Sequence, residues 1–266
     1  HGGKEPGQYM STPEHIIGGH AAAPIHAVRT GKGQPLVLLH GNGQSWHEFA
    51  HVLPAFAESF DVIAIDMPGQ GDSVRQDTQL SIEAHAKQIG DFLRTLGIQK
   101  AIIAGNSIGA FIAASLAADS ALVARAVLIE AQFRSRDWWL AAWPMVEQLF
   151  AIPTQSREQV QARRIGPVSE GEFARWNIDR NKAGTWSLLH AMAAIRDHDF
   201  AAALARVEVP ALLMFGTKGP AIEAADALQA AIPHAARVDV EYAGHFIVAD
   251  QPQSFVQHIV DFARKP

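Results

Sequence analysis

This 266-residue sequence predicts an α/β architecture, a mostly parallel doubly wound sheet with an inserted helical cap. Three observations carry that expectation. Short apolar runs alternate with helix-like segments over most of the chain, a rhythm that builds parallel sheets covered on both faces. The stretch from about 131 to 205 breaks the rhythm, with helical character, little β signal and five of the six tryptophans. The length and the 48% apolar content suffice for one substantial core plus an insertion. The core is therefore assigned to 1–130 and 206–266, and the cap to 131–205.

Strands are expected near 25–29, 35–39, 61–66, 101–105, 126–130, 210–216 and 237–242. Pro35-Leu36-Val37-Leu38-Leu39 is an unbroken apolar run, as in strands buried on both faces, and ends in His40-Gly41-Asn42-Gly43. Asp61-Val62-Ile63-Ala64-Ile65 ends in Asp66-Met67-Pro68-Gly69-Gln70-Gly71-Asp72-Ser73. Ala101-Ile102-Ile103-Ala104 runs into Gly105-Asn106-Ser107-Ile108-Gly109, and Ala126-Val127-Leu128-Ile129 into Glu130. Val238-Asp239-Val240-Glu241-Tyr242 leads to Ala243-Gly244-His245-Phe246. Helices are expected over Trp46 to Phe60, Ser81 to Leu96, Ile108 to Ala118, Ala221 to Ala231 and Ser254 to Arg264. Ligands of such sheets sit beyond the carboxyl ends of the strands, where His40, Ser107, Glu130 and the 243–246 turn all fall.

Composition narrows the function classes. A net charge of −5 with no long basic run argues against a nucleic-acid surface. No apolar stretch approaches the ~20 residues of a membrane helix. The absence of cysteine excludes a disulfide framework and a thiol nucleophile, and leaves the redox compartment open. The N-terminus lacks the charged-then-apolar pattern of a secretory signal, so a cytoplasmic location is expected. His1-Gly2-Gly3-Lys4-Glu5-Pro6-Gly7 is read as an added or disordered polar arm, with Met10 as the natural start. The expected partner is a small-molecule substrate, with no cofactor and no metal; the oligomeric state is left open.

Gly105-x-Ser107-x-Gly109 between a strand-like run and a small-residue helix has the form of a nucleophile elbow, a sharp turn that exposes a serine beside a backbone N–H. A strand ending in His-Gly, one ending in Asp-x-x-Gly-x-Gly-x-Ser, the elbow serine and a late Gly-His, in that order, resemble the α/β-hydrolase superfamily over nearly the whole chain. Serine is a poor nucleophile without a base, and the base needs an acid to fix its tautomer. The resemblance implies His245 as that base, since the family's order is Ser, acid, His.

The acid departs from the common pattern. The family's usual aspartate would fall at Gly219, which has no side chain. Some branches, including haloalkane dehalogenases and zearalenone-type lactonases, place the acid after the preceding strand, here at Glu130, 23 residues after Ser107. Glu130 is the expected acid, with Glu223 and Asp226 as the alternatives. The oxyanion hole is expected from the N–H groups of Ile108 and Asn42, with Gly43 as second choice for the latter. Gly41, Gly43, Trp138, Trp139, Trp143, Trp186 and Phe246 are expected to line the substrate pocket; Trp176 shares the cap, where two or three of its five tryptophans are expected to touch substrate.

The expected function is hydrolysis of a carboxylic ester or lactone of an apolar or aromatic small molecule. Other readings of the same fold are a carbon–carbon bond hydrolase, a cofactor-independent dioxygenase and a slow-turnover ligand sensor. Dehalogenation and epoxide hydrolysis are disfavoured, because both need a carboxylate where Ser107 stands. His47-Glu48-Phe49-Ala50-His51 spells a zinc-protease pattern, but Pro54 and Ala57 occupy the glycine and histidine positions of its extended form.

Overall fold

The computed structural model describes residues 12–265. The polar arm at 1–7 and Met10 lie outside the described residues. Eight strands form one sheet: β1 (Glu14–Gly18), β2 (Ile25–Gly31), β3 (Gln34–Leu39), β4 (Phe60–Ile65), β5 (Ala101–Asn106), β6 (Val123–Ile129), β7 (Ala211–Gly216) and β8 (Ala236–Val240). Their spatial order is β1-β2-β4-β3-β5-β6-β7-β8. The pairs β1–β2 and β2–β4 are antiparallel, and all later pairs are parallel.

Side chains alternate across each strand, so one strand feeds two cores. Val37 and Leu39 of β3 join Ile63 and Ile65 of β4 on one face. Leu36 and Leu38 join Val62 and Ala64 on the other. The first face is covered by α2 (Ile82–Thr95) and α3 (Ile108–Leu116), the second by α1 (Leu53–Ala57) and α10 (Pro252–Arg264). Two short helices, α8 (Ala225–Ala231) and α9 (Ile247–Asp250), follow β7 and β8.

Four helices fill the segment between β6 and β7: α4 (Arg136–Phe150), α5 (Arg157–Gln161), α6 (Glu170–Asp197) and α7 (Phe200–Leu204). Ser135, Ser156 and Ser169 cap the first three with side-chain oxygens, the last two within reciprocal capping boxes. The long α6 is two helices joined at Gly184, whose φ of 71° and ψ of 166° are non-helical. Hydrogen bonds from Ser45 Oγ to Asp179 (2.8 Å) and from Asn42 Nδ2 to the Leu188 carbonyl (2.9 Å) tie this insertion to the sheet. No helix among the described residues is long and apolar enough to cross a membrane.

Two sequence expectations need correction. β1 lies where no strand was expected; it is a five-residue edge strand held only by β2. The single helix expected from Trp46 to Phe60 is a 3-10 turn at Trp46–Phe49, then α1, with Phe60 already in β4. Pro54 sits in the first turn of α1, where a missing N–H costs nothing, so it starts a second helix instead of interrupting a long one.

Candidate active site

β5 delivers Ser107. Its backbone has φ 54° and ψ −119°, a conformation that costs a residue with a Cβ about 1–3 kcal/mol. The Ser107 N–H donates to the Ile129 carbonyl (2.9 Å), which anchors the turn to the neighbouring strand. A Cβ at Gly105 would collide with the Gly109 carbonyl, and one at Gly109 with the Leu39 carbonyl. The two glycines are therefore what allows α3 to leave β5 so abruptly.

β6 ends one residue before Glu130, which also has a positive φ, 50°. The side chain is fully buried. One carboxylate oxygen accepts from the Gly216 N–H (2.8 Å), and the other lies 3.2 Å from His245 Nδ1. A Cβ at Gly219 would sit 2.6 Å from the Glu130 carboxyl carbon. The carboxylate of Glu130 thus fills the space that a side chain at 219 would need. Glu223 and Asp226, the alternatives, point elsewhere: they pair with Arg134 (2.8 Å) and Arg237 (2.6 Å).

Ser107, His245, Gly41, Asn42 and Phe246 line one cavity of about 460 Å³. Ile108 opens α3, so its N–H has no acceptor within the helix, while its side chain is packed in the core. The Asn42 N–H is likewise left free by the backbone bonds of its loop, where the Gln44 N–H donates to the Gly41 carbonyl. Gly43 does not line the cavity; its N–H is taken by Gln70 Oε1 (2.7 Å), which removes it as an oxyanion donor. Its Cα faces Leu188 and Arg180 of α6, so glycine here permits close approach of the cap.

The cap tryptophans divide. Trp138 and Trp139 line the cavity. Trp143 does not; its indole N–H donates to Glu147 (2.9 Å) on the outer surface, beneath the Arg196 guanidinium. Trp186 is half exposed, stacks edge-on with His190 and lines a separate small crevice. Trp176 is buried against Phe246 and bonds Gln155 (3.0 Å), supporting the pocket from behind. Gln132, Arg134, Arg163 and Met192 line the cavity without having been singled out in the sequence.

Glu48, which the sequence presents only within the His-Glu-x-x-His pattern, has a different place. It is buried beneath the His40–Gly43 loop and accepts from the Gly41 N–H (2.8 Å) and Asn106 Nδ2 (2.8 Å). Burial pushes its carboxyl up to about 7, against the lowering effect of those two hydrogen bonds. His47 and His51 diverge from it: His47 stacks on Trp46, and His51 Nε2 bonds the Val248 carbonyl (2.8 Å). The three side chains serve loop packing.

A serine on a strained strand-to-helix turn and an imidazole held by a buried carboxylate thus line one cavity at the carboxyl ends of a doubly wound sheet. Residues 34–252 match the family model described as alpha/beta hydrolase fold, and the chain belongs to that family. It is 41% identical over 96 residues to "Soluble epoxide hydrolase" of Corynebacterium sp. (strain C12), covering 36% of this chain and only 34% of that protein's length. It is 25% identical over 244 residues to "(E)-2-((N-methylformamido)methylene)succinate hydrolase" of Acinetobacter baylyi, covering 87% of this chain and 91% of the relative. Among solved structures, the enol-lactonase of Burkholderia xenovorans LB400 superposes with a TM-score of 0.80 at 22% identity, covering 94% of this chain and all of the other.

Proposed function

We propose that this protein is a serine hydrolase that cleaves a carboxylic ester or lactone of a small molecule with an apolar body through an acyl-enzyme. The observation that carries the reading is the 3.2 Å contact between Glu130 and His245 Nδ1 at the cavity that Ser107 lines. In this reading Glu130 holds the proton on Nδ1, which leaves Nε2 as the base for the serine hydroxyl. Ser107 Oγ attacks the acyl carbon as its proton passes to His245. The developing oxyanion is received by the N–H groups of Asn42 and Ile108. Collapse expels the alcohol with the proton from His245, and water repeats the sequence to release the acid.

The local match to an epoxide hydrolase does not extend to its chemistry in this reading, because a serine stands where a carboxylate nucleophile is required. The full-length similarity to a hydrolase of a succinate derivative supports hydrolytic chemistry on a small organic acid skeleton. Ser107→Ala tests the proposal on a panel of 4-nitrophenyl esters and lactones. Turnover is expected to fall by roughly 10⁴–10⁶-fold with an unchanged melting temperature, since loss of the nucleophile leaves only binding and the oxyanion hole. A serine-directed phosphonate should label the parent and not the variant. Activity equal to the parent's in Ser107→Ala would overturn the reading.

A further inference from the structure

The cavity carries more positive charge than its walls neutralise. Four cationic side chains line it: Arg134, Arg163, Arg164 and Lys218. Arg164 is satisfied by Asp250 (2.9 Å) and Glu172 (3.0 Å), and Arg134 by Glu223 (2.8 Å). Lys218 is exposed at the rim. Arg163 is different: it is partly buried, and no carboxylate among the described residues pairs with it. Its guanidinium lies over the rings of Phe150 (5.7 Å) and Trp176 (5.6 Å). Arg180, on the same Phe150 ring at 5.3 Å, also lacks a carboxylate and spends its donors on the Leu149 and Pro153 carbonyls. Burial lowers the Arg163 pKa, yet a guanidinium keeps its proton, so the charge persists without a counterion.

Trp176 in turn stacks edge-on with Phe246 at 5.2 Å, the residue that follows His245. The unpaired guanidinium is therefore two aromatic rings away from the general-base histidine, on the same cavity. An unpartnered cation in a mostly apolar pocket is costly unless something anionic arrives to meet it. We infer that Arg163 is a specificity-determining residue that receives a free carboxylate on the substrate, so that the hydrolysed molecule is an ester or lactone carrying a second, unesterified carboxyl group. A planar guanidinium held between two aromatic walls matches a planar carboxylate by two parallel N–H···O bonds. The inference deepens the hydrolase reading and rests on it only for where the scissile bond lies.

Two measurements separate the two ideas. Mono-4-nitrophenyl esters of glutarate, adipate and suberate are compared with the neutral 4-nitrophenyl esters of the same acyl lengths. At one of these lengths the parent should prefer the charged ester by tenfold or more in kcat/KM, carried mainly by KM. Arg163→Met should collapse that ratio to near one, and Arg163→Lys should restore part of it. In the second measurement, Ser107→Ala is titrated calorimetrically with monomethyl and dimethyl adipate, with and without Arg163→Met. The monoanion should bind at least tenfold more tightly than the diester, and Arg163→Met should abolish the difference. No charge preference in either measurement, or an equal loss on charged and neutral esters in Arg163→Met, would overturn the inference. Charge-dependent binding without Ser107-dependent turnover would instead sink the hydrolase reading and leave the anion subsite standing.

Discussion

The floor and the roof of the cavity are built on opposite principles. On the floor, Ser107, Glu130 and the turn before His245 each leave the end of a strand, and the parallel ladder from β3 to β8 fixes their spacing. The roof is helical, kinked at Gly184, and presents exposed Leu140, Met145, Ile152 and Ile165 on its surface. The floor's buried carboxylate has its partners inside the protein, since Glu130 meets Gly216 and His245. The roof leaves Arg163 without an anion. In the proposed reading the strand ends hold the reacting groups, and the insertion, through Arg163, selects the substrate.

That contrast can be broken from the floor first. Glu130→Gln keeps an acceptor for the Gly216 N–H but presents an amide to Nδ1, which favours the wrong tautomer. Turnover should fall by roughly 10²–10⁴-fold, by analogy with triad acids elsewhere, and thermal melting should show little change. Glu223→Gln and Asp226→Asn, measured beside it, should cost far less. Gly219→Ala probes the same contact from the other side. The added methyl must displace the Glu130 carboxylate, so a loss of roughly tenfold in turnover and about 1–3 kcal/mol in stability is expected from kinetics and denaturant titration.

The next effect concerns pH. Glu48 has a folded value of about 7, raised from its ordinary 4.5. Below 4.5 both folded and unfolded chains hold the proton, and the fold carries no penalty. Between 4.5 and 7 the unfolded chain loses the proton first, so stability is lost as pH rises and the loss is complete above the folded value. Glu48→Gln lacks this term, and its amide can donate to Asn106 Oδ1, a buried atom with no present partner, if Asn106 flips. Relative to the parent, the variant should gain about 3 kcal/mol between pH 4 and pH 8, read by denaturant titration.

The smallest effects should come from the roof. Trp138→Ala and Trp139→Ala should raise KM for long-chain or aromatic esters about tenfold while barely affecting acetyl esters, which bury less of the pocket. Trp143→Ala and Trp186→Ala, away from the cavity, should leave that chain-length profile flat. Equal losses for all four would erase the distinction between lining and packing.

Much of the floor is legible in the sequence because strand ends and short glycine motifs are local features. Glu130 stands out as a charge closing an apolar strand, and Gly219 as the missing side chain that requires it. β1 was not foreseen because Glu14–Gly18 is short and has no alternation that separates it from a loop; only pairing with β2 makes it a strand. Trp143 and Trp186 were expected in the pocket because composition does not say which way a helix face turns. Glu48 was absorbed into a histidine pattern, and its burial under the Gly41 loop depends on contacts with Asn106, 58 residues away. Arg163 is illegible for a related reason: a missing partner is a property of the whole fold.

The position of Glu130 has a consequence for how the site is laid out along the chain. Ser107 and Glu130 both issue from the β5–α3–β6 unit, ahead of the insertion, and only His245 is supplied after it. Had the acid followed β7, the whole roof would have lain between Ser107 and the acid along the chain, with the ladder from β5 through β6 to β7 alone setting their spacing. Here one uninterrupted βαβ unit carries both proposed groups, while the roof, inserted after it, meets the floor through Asn42–Leu188 and Ser45–Asp179. In the proposed reading, nucleophile and acid thereby share one continuous stretch of the polypeptide, while Trp138, Trp139 and Arg163 of the pocket wall come from another.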